Sequence, residues 1–248
     1  MRVRGLILIL VAGTVLSACS DRRPVSTGES AAPDVPADPR TMLAARAAAA
    51  QDLQQVASYQ LRTPDKPDRT VTFTQAKDGS WRLDLPNQAL GGTVDIALVR
   101  TAVGLYQCAL PDAGCVRVSR VSASFDPKLQ HVFTDWLNVF MDRDAALAVS
   151  TADALPATPG VCFAVDSSAV SVKAPLDAGI YCYADNGTLT GARTSVGTLT
   201  LVGTPTPGPT SVTLPGPVKA GQPLPNASPP APSPSVSAVD GSPQGFPL

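Results

Sequence analysis

One histidine and five cysteines carry most of the side-chain chemistry in this chain of 248 residues. His131 stands four residues before Asp135, the spacing of an i, i+4 pair on the wet face of a helix, and Asp142 lies two turns beyond Asp135 on that face. A single histidine rules out a site with two histidine ligands and leaves few general-base options. The sequence holds no G-x-S-x-G, no phosphate-cradling glycine loop and no H-E-x-x-H. No close Cys-x-x-Cys pair occurs and the only histidine is remote in sequence, so zinc is a poor fit to the cysteines. The expectation is a protein with no catalytic residue, metal or cofactor.

Cys19 has a chemistry set by its neighbours. Arg2 and Arg4 give a basic start, Gly5 to Leu16 run apolar, and Leu16-Ser17-Ala18-Cys19 closes the run. A membrane span would need ~20 apolar residues, whereas a charged start, a shorter apolar run and a small-residue exit describe a secretory signal peptide. The ending resembles the bacterial lipobox. That implies a signal peptide over residues 1–18 and a diacylglyceryl group on Cys19, the first residue of the mature chain. An ordinary signal peptide with Cys19 as a chance neighbour is the competing reading. The expected location is the extracytoplasmic face of the cell membrane, with the membrane as partner through the lipid anchor. Loss of residues 1–18 removes Arg2 and Arg4 and leaves 17 basic against 20 acidic residues, with no basic stripe for nucleic acid or anionic lipid. Attachment then rests on the acyl chains, at roughly 0.8 kcal/mol per buried CH₂. The abundance of Ala, Pro, Thr and Val suggests a bacterium of high genomic GC.

Setting Cys19 aside leaves Cys108, Cys115, Cys162 and Cys182, an even number in an exported chain, which favours two disulfides in one of three connectivities. The local pairs, Cys108–Cys115 and Cys162–Cys182, are favoured because Ala-Leu-Pro-Asp-Ala-Gly between the first two is a turn-forming segment. Loop closure gives roughly 2.5 kcal/mol for the shorter bridge and roughly 3.3 kcal/mol for the longer.

The elements that position these residues follow from periodicity. Residues 19–37 are small, polar or proline and read as a flexible tether. Asp38-Pro39 starts a helix through about Ser58, with Leu43, Ala47, Ala50, Leu53 and Val56 on one face. The period then becomes two. Val71 and Phe73, then Trp81, Leu83 and Leu85, flank a turn at Lys77-Asp78-Gly79, and Val94, Ile96 and Leu98, residues 101–108 and residues 115–121 give further strands. Asp126-Pro127 predicts a second helix running to Leu147, with Phe125, Leu129, Val132, Phe133, Trp136, Phe140 and Leu147 on one face and Leu137, Val139 and Met141 widening it. Strands resume at 161–165, 168–172, 180–184, 188–192 and 196–202, with a hairpin at Asp185-Asn186-Gly187. Thirteen of the 25 prolines fall after Val202, so 209–214 is at most one short edge strand and 216–248 reads as a disordered Pro-rich tail.

This order, with Gly79-Ser80-Trp81-Arg82-Leu83 after a turn, resembles the LolA/LppX-type lipoprotein family over residues 38–203. The resemblance implies an α+β fold, a curved antiparallel β-sheet (half-barrel) with an N-terminal helix and an inserted apolar helix packed on its concave face. It also implies that some members carry acyl chains. Two functional readings stand side by side. One is a non-enzymatic envelope lipoprotein, a structural or interaction module with an unidentified protein partner. The other is a lipid or lipoprotein carrier whose acyl site would be lined by Trp81, Leu83, Ile96, Leu98, Phe133, Trp136, Leu137, Phe140 and Met141.

Overall fold

The computed structural model describes residues 38–111, 114–119, 121–168 and 176–227. The expected signal peptide (1–18), Cys19, the expected tether (19–37), all but the first residue of the strand expected at 168–172, and residues 228–248 of the expected tail lie outside them. Asp38 caps the first helix, α1 (Pro39–Asp52): its Oδ2 accepts from the Thr41 N–H at 2.9 Å, and Pro39 fills the first helical position, where no N–H is needed. Eleven strands follow: β1 (Gln55–Arg62), β2 (Arg69–Gln75), β3 (Trp81–Ala89), β4 (Val94–Thr101), β5 (Gly104–Leu110), β6 (Gly114–Val118), β7 (Leu147–Ala152), β8 (Val161–Ser167), β9 (Gly179–Tyr183), β10 (Leu189–Thr194) and β11 (Gly197–Pro207). Between β6 and β7 lie a 3-10 turn at Leu129–Phe133 and a second helix, α2 (Asp135–Met141). All strands form one antiparallel sheet in the order β6-β5-β4-β3-β2-β1-β11-β10-β9-β8-β7, closed at its middle by the pairing of β1 with β11.

The half-barrel with one long inserted apolar helix is therefore overturned. The chain builds a large open sheet, and among the described residues helical structure is confined to α1, the 3-10 turn and α2. The helix expected over 126–147 breaks twice. Lys128 is left-handed at φ 62° and Thr134 sits at φ −130°, ψ −102°, so residues 129–133 tighten into 3-10 geometry before seven residues of α-helix. Beyond Met141, the Arg40 guanidinium donates to the carbonyls of Asp142 (2.8 Å), Ala145 (2.6 Å) and Leu147 (2.8 Å), which holds that stretch in a loop. Leu147 joins β7 opposite Ser167. The first helix is also shorter than expected. Val56 suits either period, but Ala57, Tyr59 and Leu61 are buried on alternate positions of β1, the strand at the centre of the sheet.

One face of the sheet carries the main core, with Tyr59, Phe73, Leu83, Leu85, Ile96, Phe163, Tyr181 and Tyr183 packed beneath Leu43 and Ala47 of α1 and the aromatic residues of the turn and α2. Gly187 in the β9–β10 turn has φ +88°, and a Cβ there would come within 2.5 Å of the Ala50 backbone nitrogen, so a glycine lets α1 lie against the sheet end. The opposite face has two small clusters, one around Cys108 and Cys115 with Tyr106, the other around Cys162 and Cys182 with Leu155.

The folded chain does not stop near residue 203. In place of an edge strand at 209–214, Pro209 and Thr210 accept from the N–H groups of Lys77 and Asp78, and Val212 and Leu214 cover the first of those small clusters. The chain then passes the β6 edge, where Cys115 N–H donates to Pro217 and Lys219 N–H donates to Cys115. It then reaches the core face, where Leu90 and Gly91 donate to Pro225 and Asn226. Residues 216–227, expected to be disordered, are thus ordered strap.

Candidate functional site

Both disulfides form as the local pairs. Cys108 and Cys115 face each other across β5 and β6, and Cys162 and Cys182 across β8 and β9, each with Cα atoms 4.0 Å apart. This is the close spacing of a non-hydrogen-bonded cross-strand pair. Their role here is structural, since both are buried.

The nine residues named as an acyl site do gather on one side of the sheet, but most of them pack against one another. Leu83 and Ile96 are fully buried, and Leu98, Phe133, Trp136, Leu137 and Phe140 nearly so; Trp81 and Met141 are partly exposed. Phe133 stacks on Phe73 at 4.4 Å and tilts against Tyr59 at 5.2 Å. Trp136 and Phe140 meet Tyr181 edge-on at 6.2 and 5.0 Å. The space left beside Tyr59, Phe73, Phe133 and Leu137 is about 20 Å³. That is room for a water, not for a hydrocarbon chain.

His131 is not a simple surface partner of Asp135. The tightened turn swings it between two carboxylates, Nδ1 at 2.7 Å from Asp135 Oδ1 and Nε2 at 3.1 Å from Asp126 Oδ2. Gln130 Nε2 donates to the other Asp126 oxygen at 2.6 Å, and the imidazole stacks on Trp136 at 5.7 Å. Burial pulls the imidazole pKa down, but the hydrogen bonds and charges of Asp126 and Asp135 outweigh it and raise the value from 6.5 to about 9. Burial likewise works against ionisation of both carboxylates and is outweighed by their bonds to His131, so both titrate below the usual range. Asp126 lies five residues before His131, a spacing that no regular helix brings together, and helix arithmetic misses it.

A groove of about 590 Å³ opens where this turn meets the end of the sheet. Its floor is one row of cross-strand partners on β2 to β5, Gln75 opposite Trp81, Trp81 opposite Arg100, and Arg100 opposite Leu105. Phe133, His131, Asp135 and Asn138 line it from the turn and α2, and Asp52 from the end of α1. Gln75 Nε2 donates to the Gln51 carbonyl at 2.8 Å, and Gln51 Nε2 donates to Asn138 Oδ1 at 2.7 Å, which ties sheet, α1 and α2 together along one wall. Sequence reading named Trp81 and Phe133 but not Arg100, Gln75 or Asp52, because strand register alone makes them neighbours.

Among the described residues no group of three His, Cys, Asp or Glu side chains could hold a metal ion, and no helix is long and apolar enough to cross a membrane. The chain matches no protein-family model and no curated protein sequence.

Proposed function

We propose that the chain is a non-enzymatic lipoprotein of the cell envelope, tethered to the extracytoplasmic face of the cell membrane through Cys19, whose folded domain is an interaction module. The sequence of residues 1–19 supports the anchoring, and the two disulfides fit an oxidising compartment. One observation favours a module over an acyl carrier: the chain's own aromatic side chains fill the space between sheet and helices. A ligand pocket of usual size would measure roughly 300–1,000 Å³, against the 20 Å³ found there.

Two measurements test this. Cys19→Ala should leave the protein unprocessed or in the aqueous phase on detergent partitioning, and a fully processed variant that still partitions with detergent would end the anchoring argument. For the packed core, Trp136→Ala and Phe140→Ala should each cost about 3–5 kcal/mol, and mass spectrometry of the purified wild type should find no lipid beyond the group joined covalently to Cys19. Stoichiometric non-covalent lipid with a near-neutral Trp136→Ala would establish the carrier instead.

A further inference from the structure

We infer that the groove over the Gln75–Trp81–Arg100–Leu105 row binds a neutral saccharide chain. This rests on the preceding reading, that recognition happens on the surface of a packed domain. The groove pairs an aromatic side chain with polar groups of both hydrogen-bonding senses. Trp81 is partly exposed, with its ring centre 6.3 Å from Phe73. The C–H face of a pyranose is apolar and weakly positive, which suits the negative face of an indole. Around Trp81 the unspent groups are mixed. Arg100 is exposed and makes no hydrogen bond or ion pair among the described residues, the Asp52 carboxylate is likewise exposed, and Gln75 Oε1 and Asn138 Nδ2 take no partner there. Hydroxyl groups both donate and accept, and planar amide, carboxylate and guanidinium groups are the side chains that satisfy them in pairs.

The groove is too polar for an acyl chain, and its charges do not select one sign: Arg100 stands against Asp52, and His131 is shared between two carboxylates.

The test uses the full chain solubilised in detergent, titrated with unbranched α-glucan, β-glucan and α-mannan hexasaccharides. The readouts are calorimetry and tryptophan fluorescence. The chain has two tryptophans and Trp136 is buried, so a ligand-dependent change would report Trp81. The expected result is saturable binding of at least one hexasaccharide, weakened about tenfold or more by Trp81→Ala and by Arg100→Ala, and unchanged by Trp136→Phe. Arg100 is exposed, so its variant keeps the assay meaningful if Trp81→Ala loosens the fold. Folded wild type that ignores all three saccharides, or binding undiminished in both groove variants, overturns the proposal. Native mass spectrometry of the same sample separates the two failures. Lipid held non-covalently by the folded chain would sink the surface-module reading as well, whereas protein that carries only its covalent anchor and ignores every saccharide overturns the groove alone.

Discussion

The two edges of the sheet are finished differently. At β6 the outward backbone groups of Cys115 are paired, its N–H with Pro217 and its carbonyl with Lys219, and the strap continues round to the core face. There the Gln107 amide and the Leu224 backbone exchange two hydrogen bonds, of 3.1 and 2.6 Å. At β7 only the start is held among the described residues. Ser168 N–H donates to the Ala146 carbonyl at 2.9 Å, which fixes the phase of the ladder: Ala148, Ser150 and Ala152 bond to β8, and Val149 and Thr151 turn their backbone groups outward. Leu147 turns outward as well, and Arg40 takes its carbonyl. An unpaired edge invites pairing with another chain, and proteins cover, charge or shorten it. Here one end is covered by a Pro-rich segment and the other is short.

The largest expected effect comes from removing the strap. A chain ending at Gly208 keeps all of β11 but loses the backbone partners of Cys115, Leu90 and Gly91, leaves the buried Gln107 amide unmatched, and uncovers the cluster beneath Val212 and Leu214. The summed loss is on the order of 5 kcal/mol, or a fall in Tm of more than about 10 °C, with association through the opened edge. A chain ending at Ala227 should melt like the full protein. Calorimetry and light scattering of both truncations decide the matter, and equal melting would show the strap to be an idle appendage.

The disulfides sharpen the same contrast. On loop length alone, Cys162→Ser with Cys182→Ser should cost roughly 3.3 kcal/mol and Cys108→Ser with Cys115→Ser roughly 2.5 kcal/mol. The strap holds the β5–β6 hairpin independently, which should widen that gap. A larger loss at the β5–β6 pair, measured by denaturant unfolding of the two double variants, would contradict a strap that shares the load.

What the sequence made legible divides along similar lines. Local signals read correctly: the Asp38-Pro39 start, the Gly79 and Gly187 turns, and the two nearby cysteine pairs. Signals that depend on distant partners did not. β1 was absorbed into the first helix because Val56 fits both periods, and β7 into the second because Leu147 continues its apolar face. The strap is nearly invisible, since it is held through backbone carbonyls and N–H groups that composition does not record. The same reason hid the groove, whose floor exists only once four strands are in register.

The cover over the core is pinned at its two ends by different cations, and pH separates them. At one end the Arg40 guanidinium holds the carbonyls of the loop after α2. His131 has a folded pKa of about 9 against 6.5, so its contribution is complete below about pH 6.5 and disappears as pH rises through about 9. Asp126 and Asp135 act in the opposite sense, contributing above the ordinary carboxylate range and losing it as pH falls through their lowered values. Tm should therefore fall by a few degrees between about pH 6.5 and pH 9.5. His131→Gln should be less stable at pH 6 and flatter across the interval, and parallel curves for the two proteins would remove the clamp from the explanation.

The smallest effect is expected at the β7 edge. Proline at position 149 removes an N–H that points away from β8, so no ladder bond is lost, and edge strands tolerate proline where the missing N–H faces solvent. Val149→Pro should cost less than about 1 kcal/mol, mostly from fitting φ near −65° into a strand. Val165→Pro makes the contrast, because Val165 lies inside the sheet between β7 and β9 and is 2 % exposed; loss of a ladder bond and of a buried side chain there should cost about 3 kcal/mol or more. Urea midpoints at low protein concentration give both numbers. If Val149→Pro proved nearly as damaging as Val165→Pro, β7 would have a pairing partner of its own. Repeating the melt at higher concentration would then show whether that partner is a second copy, since only an intermolecular strand would make the loss depend on concentration.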